Sequence, residues 1–166
     1  MEFGFKNCAI PSKPFTMINT KDQLYQLCLT YIDERINTAQ FAIQEAQAAS
    51  REETKSSAGD KYETARAMAQ LEIEKCMAQC AEADQLKGTL VALANKKPSE
   101  KVQAGSLVIT DRGNFYLSIP AGQFEIENQS YFSISVNSPL GSKLVGLKAG
   151  EDLNFRDKRY RIERIL

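Results

Sequence analysis

Two apolar stripes, each spaced for one face of a helix, constrain this chain more than any other feature. The first alternates steps of three and four residues and consists of Leu29, Ile32, Ile36, Ala39, Ile43 and Ala46. The second consists of Ala69, Ile73, Cys76, Cys80, Ala83, Leu86, Leu90 and Leu93. Such spacing lines up apolar side chains along one seam of a helix. The sequence therefore predicts two long helices, the first opened by the capping residues Asn19 and Thr20.

The two stripes fit each other as the arms of an antiparallel hairpin. Pairing position 43 with 69, 36 with 76 and 29 with 83 keeps one register and puts the hairpin centre near Ser56. In most of these pairs a large side chain faces a small one, which suits close helix packing. We therefore expect a helical finger over Thr20 to Ala94 that projects about 45 Å and reaches a partner with its tip.

The residue pattern changes after the hairpin from helical periodicity to short segments typical of strands. Pro98 ends the second helix, because proline lacks an amide donor and disfavours helix in the residue before it. Segments typical of strands then lie at 106–110, 114–119, 124–127, 131–136 and 159–165, with a tight-turn signal at 111–114. Ser138-Pro139-Leu140-Gly141 predicts the start of a short helix with Leu140, Leu144 and Leu147 on one face.

The expected fold class is therefore α+β, in three parts. Residues 1–18 form a leader, 19–97 a coiled-coil helical hairpin, and 98–166 a small β-sheet domain with one short helix. Residues 1–16 have no periodic pattern and Met17 directly precedes the first helix, so they are either a disordered leader or an upstream start. The four cysteines are expected to be small core residues that stay reduced.

Charge and composition exclude several classes of function. The 21 Lys and Arg residues equal the 21 Asp and Glu residues, so the net field gives no general attraction to nucleic-acid phosphates or acidic membranes. The absence of histidine excludes Ser-His-Asp and Cys-His catalysis. No apolar run approaches the roughly 20 residues of a membrane helix, and no signal-peptide pattern is present. We expect a cytoplasmic monomer without membrane or sequence-specific DNA binding.

The stretch from Ser138 to Glu151, followed by Tyr160-Arg161-Ile162, resembles the C-terminal domain of the Gre transcript cleavage factors. That family pattern is Ser-Pro-Leu-Gly, then a Leu-Gly pair, then Gly with an acid. Gre factors also place a coiled-coil hairpin before an FKBP-like domain, so the resemblance covers about Asp22 to Ile165. It implies a bacterial transcription elongation factor that binds RNA polymerase, inserts its tip into the secondary channel and promotes rescue or transcript cleavage of backtracked complexes.

The residues near the tip both match and depart from that family. Asp60 to Arg66 is similar to the Gre stretch that opens the second helix. Aligning Tyr62 with the Gre tyrosine puts Lys55 and Ala58 where Gre factors have the two acids that hold the catalytic magnesium. Neither side chain ligates a metal, which favours a second hypothesis, a noncatalytic regulator that binds the same channel. A coiled-coil adapter for another partner is a third hypothesis.

The acids that this tip does offer are Glu52, Glu53, Asp60 and Glu63. In the predicted register Glu52 lies opposite Asp60, so this pair is the candidate Mg²⁺ site, the metal being shared with the polymerase and not a cofactor of the chain itself. Glu53 is a further candidate catalytic acid. In such a mechanism the protein is not an enzyme, because it stimulates the polymerase's own RNA cleavage. Helix capping by Asp60 and Glu63 is the simpler alternative.

The expected polymerase-binding residues of the second domain are Ser138, Pro139, Leu140, Gly141, Arg159 and Arg161. The first four carry the family pattern. The two arginines belong to a basic C-terminal strand that either pairs with an acidic polymerase surface or is simply solvated beside Asp157 and Glu163.

Overall fold

The structure is a computed structural model that describes residues 20–53, 59–94 and 96–166. Its helices are α1 (Thr20–Glu53), α2 (Gly59–Ala94) and α3 (Gly141–Leu144). Its strands are β1 (Leu107–Thr110), β2 (Gly113–Ser118), β3 (Gly122–Ile126), β4 (Gln129–Ser135), β5 (Asp152–Phe155) and β6 (Lys158–Ile165). Two long helices are thus followed by a six-stranded sheet, which makes the fold α+β as expected. None of the helices in these ranges is long and apolar enough to cross a membrane.

The two long helices pack against each other along the predicted seam. Every seam position of both stripes is buried or half-buried, while the positions between them are mostly exposed. Arg35 of α1 forms an ion pair with Glu82 of α2 at 3.2 Å, and Asp33 forms one with Lys87 at 2.8 Å. Asp33 precedes Arg35 in α1, whereas its partner Lys87 follows Glu82 in α2. The two helices therefore run antiparallel.

These ion pairs are offset from the predicted register. A centre at residue 56 would put residue 79 opposite Asp33 and residue 77 opposite Arg35. Their partners are instead Lys87 and Glu82, one to two turns nearer the C-terminal end of α2. Long basic side chains reach along a helix to partners that do not lie directly opposite them. The end of α1 at Glu53 and the start of α2 at Gly59 remain centred on residue 56, so these ion pairs do not contradict the predicted register.

The sheet has the order β3-β4-β2-β1-β6-β5. Neighbouring strands are antiparallel except for β2 and β4, which are parallel. After β2 the chain first forms the edge strand β3 and then turns back as β4, which lies between β3 and β2. The β1–β2 turn lies at Asp111–Arg112, where the sequence predicts it. β3 and β5 are the two edge strands, and both lie in tight two-residue hairpins.

β5 was not predicted from the sequence. This strand has four residues, and only Leu153 and Phe155 supply an apolar alternation, too short a pattern to predict a strand alone. It forms because the turn at Arg156–Asp157 folds it back on β6, and both turn residues adopt positive φ of 48° and 60°. Neither is the glycine that such turns prefer, so the usual signal is absent.

Each face of the sheet has its own buried cluster. On one face, Leu107, Tyr116 and Tyr131 pack with residues near the start of α1 and the end of α2, including Leu24 and Leu90. On the other face, Val108, Phe115, Leu117 and Ile162 pack with Leu144 of α3. The base of the hairpin is therefore held on the sheet, and α3 covers the opposite side.

This packing shortens the expected finger. The cluster shared with the sheet includes α1 residues up to Ile32, with Ile36 at its margin, and α2 residues from Ala83 onward. Each helix is about 50 Å long, of which roughly 25–35 Å extends beyond that cluster. The expected projection of 45 Å counted the anchored base as part of the arm.

Candidate functional site

The predicted metal and catalytic acids lie at the far end of the arm. Glu52 and Glu53 are the last two residues of α1, and Asp60 is the second residue of α2. Their side chains, and all of Lys55 and Ala58, lie outside the residues that the structure describes. The helix bounds nonetheless bring these acids to one end of the arm, because only residues 54–58 separate the two helices.

The nearest described acid to this tip is Glu63, which is exposed in α2. Within the described ranges no three Cys, Asp or Glu side chains are gathered closely enough to hold a metal ion. The donor set of Glu52 and Asp60 consists of carboxylate oxygens, which suit a hard cation such as Mg²⁺. Two carboxylates leave most of a six-coordinate shell to water, substrate or another protein.

The sides of the arm expose large apolar side chains that the sequence analysis did not single out. Phe41 and Met68 are both 64% exposed, Leu71 is 61% exposed and Met77 is 59% exposed. Met68 and Leu71 are three residues apart in α2 and so share a side of that helix. All four lie outside the seam, so large apolar residues at off-stripe positions were the available signal. They offer contact area to a partner along the arm and not only at its tip.

The Ser138–Gly141 motif has a structural task of its own. The Ser138 hydroxyl accepts a hydrogen bond from the Gly141 amide at 3.0 Å, and the Ser142 amide donates to the Ser138 carbonyl at 2.9 Å. A Cβ on Gly141 would overlap the Ser135 carbonyl oxygen. Gly141 is buried, Leu140 is half-buried and Pro139 is exposed. Of the four predicted partner-binding residues, Pro139 therefore has the side chain most open to a partner.

The two predicted basic residues differ in how available their side chains are to a partner. Arg159 forms an ion pair with Asp152 at 2.5 Å across the β5–β6 pair. The hydrogen bond from Arg159 lowers the pKa of the Asp152 carboxyl below its usual range, and the same bond raises the pKa of Arg159. Arg161 is exposed, and its backbone amide donates to Asp111 at 2.9 Å. Arg161 is thus the arginine more available to an acidic surface, and Arg159 is partly neutralised.

A polar cluster beneath the hairpin base was also missed. The Ser133 hydroxyl donates to the Ile119 carbonyl at 2.7 Å and lies 2.9 Å from the Ser118 hydroxyl. The Cys28 sulfur of α1 lies 3.4 Å from the Ser133 oxygen. Burial raises the pKa of the Cys28 thiol, so it stays protonated and donates or accepts as a neutral group. This cluster joins α1 to β2 and β4 and fixes where the hairpin sits on the sheet.

Comparison with known proteins adds nothing to this geometry. No family model matches the sequence, and no curated protein matches it closely.

The arm and its acids have one property in common, which is that acidic residues lie at the far end of an anchored helical hairpin. The arm is two helices thick and anchored at its base, and the two helix ends at its far end carry Glu52, Glu53 and Asp60. The described residues near its end carry no histidine or other strong general base.

Proposed function

We propose that this protein is a transcription elongation factor that binds RNA polymerase and inserts the tip of its hairpin into the secondary channel, where it promotes rescue or transcript cleavage of backtracked complexes. The observation that carries the proposal is an anchored two-helix arm that extends roughly 25–35 Å beyond its sheet and ends in acids. The resemblance to Gre factors in the hairpin-then-sheet order and in Ser138 to Glu151 supports the same destination. The proposal includes two further statements, that the arm is a coiled coil and that the sheet forms an FKBP-like domain.

The way the arm is held supports an inserting role. An arm that enters a channel binds better when it is rigid, because a flexible arm loses conformational entropy on binding. Here the base is fixed by buried apolar contacts to the sheet and by the Cys28–Ser133 contact. Two cross-helix ion pairs also join α1 to α2 at the outer end of that base.

Glu52 and Asp60 are the residues that would hold Mg²⁺ together with the polymerase's own ligands, with Glu53 beside them. The metal would polarise a phosphodiester and activate water, as in hydrolysis by two-metal sites. The chain's own contribution would be position and negative charge.

Lys55 and Ala58 favour a second candidate, a noncatalytic regulator of the same channel. These residues stand where the resemblance to Gre factors places the magnesium-holding acids. A tip with an ammonium group in that position would oppose a second divalent ion by charge repulsion. The protein would then bind in the same way and block or retune the active site.

The two candidates separate in one assay on stalled, backtracked elongation complexes with Mg²⁺. The probes are the full-length protein, the combined tip variant Glu52→Ala, Glu53→Ala, Asp60→Ala, and a matched variant with Glu45→Ala, Glu74→Ala and Asp84→Ala, which are exposed acids elsewhere on the helices. Shortened RNA with the wild type and the matched variant, but not with the tip variant, supports the cleavage factor. Binding without shortened RNA supports the regulator.

Two results would overturn these assignments. Cleavage that survives the combined tip variant would remove the role given to the carboxylates. Failure of the wild type to bind the polymerase at all would exclude both candidates and favour the adapter.

A further inference from the structure

Two cysteine thiols lie one helical turn apart on the seam face of α2. Cys76 is 2% exposed and Cys80 is half-buried, so Cys80 is the one that solvent reaches. Both are free thiols, and neither belongs to the tip of the arm. Residues four apart in an α-helix share a face, with their Cβ atoms about 5–6 Å apart. The two sulfur atoms therefore lie on one side of α2.

This spacing is too wide for a bond between the two sulfurs. A disulfide needs Cβ atoms about 3.5–4.5 Å apart, so closing the gap would require α2 to unwind locally. The helix is continuous from Gly59 to Ala94, and its seam face is buried against α1 on both sides of the pair. The geometry therefore favours two reduced thiols over a cross-link within the helix.

A cation between the two sulfurs fits the same spacing. Metal–thiolate bonds are about 2.3 Å long for zinc, and two bonds of that length in a line hold their sulfurs about 4.6 Å apart. Rotation about the Cα–Cβ bonds brings two sulfurs to that separation when the Cβ atoms are about 5–6 Å apart. The backbone of α2 does not have to move.

The number and kind of donors decide which cation the pair can hold. In the parts of the chain that the structure describes, no three Cys, Asp or Glu side chains are gathered around a common point, whereas zinc takes four ligands. Cu(I) is a soft ion that thiolates select, and it accepts two sulfurs in a line. The next residues along the stripe are Ile73 and Ala83, and apolar surroundings favour an ion of low charge.

A carboxylate lies where it can accept a proton as the ion binds. The Cys76 thiol donates to the Glu72 carboxylate, with 3.7 Å between sulfur and oxygen, and Lys75 pairs with the same carboxylate at 3.2 Å. Two S–H bonds break as two copper–sulfur bonds form, and both protons leave to solvent, one of them by way of the exposed Glu72. Copper stays Cu(I) throughout, so the step needs no oxidant or reductant.

We propose that Cys76 and Cys80 form a two-coordinate binding site for Cu(I) on the seam face of α2. The bound ion joins two successive turns of the helix just beyond the part of α2 that is anchored on the sheet. The site is independent of the proposed binding to RNA polymerase, because the acids of the tip take no part in it.

The test titrates the reduced full-length protein with Cu(I) in the absence of oxygen, in competition with a chelator that absorbs light when it binds Cu(I). The site variants are Cys76→Ala and Cys80→Ala, made singly. Alanine already occupies seam positions 69 and 83 of the same helix, so the seam accepts this side chain, and far-UV circular dichroism checks that each variant is folded.

The matched control is the double variant Cys8→Ala with Cys28→Ala. It removes the other two thiols of the chain and keeps the proposed pair. Zn²⁺ is titrated as a second probe, since it requires more ligands than the pair supplies. X-ray absorption at the copper edge counts the sulfur neighbours of the bound ion.

We expect the wild type and the control to bind one Cu(I) per chain through two sulfurs. Each single variant should bind at least about a hundredfold more weakly, because the second thiolate no longer adds its intramolecular contact. Equal binding by the wild type and the single variants would overturn the proposal, as would loss of binding in the control. One copper ion held between two chains, or Zn²⁺ bound as tightly as Cu(I), would overturn it as well.

A second measurement needs no variant of the pair. Iodoacetamide alkylates free thiols, and mass spectrometry of the digested wild type reports how much of Cys80 has reacted. One equivalent of Cu(I) should slow the alkylation of Cys80 by about tenfold or more, because a thiolate bound to a metal is a weaker nucleophile. An unchanged rate would contradict the assignment of Cys80 as a ligand.

Discussion

At the scale of single residues, the most demanding position is Gly141. Its Cα lies so close to the chain before α3 that a methyl group would overlap the Ser135 carbonyl oxygen and come within 2.8 Å of the Ser138 hydroxyl. The sequence predicts a helix start at Ser138–Gly141, and the Ser138 hydroxyl accepts a hydrogen bond from the Gly141 amide. The steric requirement at Gly141 depends on β4, which no local pattern reveals.

We predict that Gly141→Ala lowers the free energy of unfolding by about 2–3 kcal/mol, because the backbone must shift to admit the methyl group. Gly88→Ala is the matched control. Gly88 is exposed within α2 and a Cβ there meets nothing within 4 Å, so this change should add about 0.5–1 kcal/mol through helix propensity. Chemical denaturation of both variants measures the difference, and equal stabilities would contradict the assigned contact.

The buried thiol of Cys28 predicts a pH dependence of stability. Burial raises the pKa of this group, so the folded protein retains a proton that the unfolded chain releases above about pH 8.5. The stabilising contribution is fully present below that pH and is lost as the pH rises toward the folded pKa. Cys28→Ser keeps a polar group beside Ser133 but does not titrate in this range.

Denaturation at pH 7 and pH 10 should therefore show a smaller loss of stability for Cys28→Ser than for the wild type. Burial is the largest cause that raises the pKa of Tyr116 as well, and since Cys28→Ser leaves that burial in place, this part of the effect is common to both proteins. Identical losses for the two proteins would show that the thiol is not desolvated.

At the scale of elements, the long helices were predictable and the short strand β5 was not. Repeated apolar positions over residues 29–46 and 69–93 determine the buried faces of α1 and α2. β5 depends on the turn at Arg156–Asp157, where both residues take positive φ without glycine. A strand of four residues stabilised by its partner has little local signal of its own.

The same turn gives a prediction. Positive φ costs an L-residue more than glycine, although Asp tolerates it better than most. Asp157→Gly should therefore stabilise the protein by about 0.5–1 kcal/mol. Thermal unfolding of Asp157→Gly measures this against Gly122→Ala, which places a side chain at φ 89° and should destabilise. A lower melting temperature for Asp157→Gly would contradict the turn geometry.

The cross-helix pair Arg35–Glu82 tests the register of the hairpin. Both side chains are partly exposed, so a double-mutant cycle with Arg35→Ala and Glu82→Ala should give a coupling of about 0.2–1 kcal/mol that falls in high salt. The control cycle pairs Arg35 with position 77, its partner in the predicted register, through Met77→Ala. Coupling to position 77 in place of position 82 would contradict the observed ion pair.

At the scale of the whole molecule, periodicity could predict two helices and a sheet but not how they join. The anchoring contacts link Leu24 and Leu90 to Tyr116 and Tyr131, which lie far apart in the sequence. Contacts between such distant residues leave no periodic trace. For the same reason the projecting length was overestimated, because the seam pattern continues unchanged through the anchored base.

The candidate site was predictable in its place and not in its chemistry. The two stripes predict a hairpin centre near residue 56. This position lies between the end of α1 at Glu53 and the start of α2 at Gly59. Whether Glu52 and Asp60 act on a metal depends on a partner that the sequence of this chain does not contain. The exposed Phe41, Met68 and Leu71 were missed because they lie off the periodic stripe.

The most direct test of the central claim is to ask where the tip lies when the protein meets RNA polymerase. A photoreactive amino acid is placed at Ser56 in one sample and at Gly88, an exposed base position, in another, and each is irradiated on a stalled elongation complex. We predict that the Ser56 probe crosslinks to polymerase segments beside the active site or to the RNA 3′ end, whereas the Gly88 probe reaches neither. Crosslinks from Ser56 confined to the outer surface of the polymerase, or none at all, would contradict insertion of the arm.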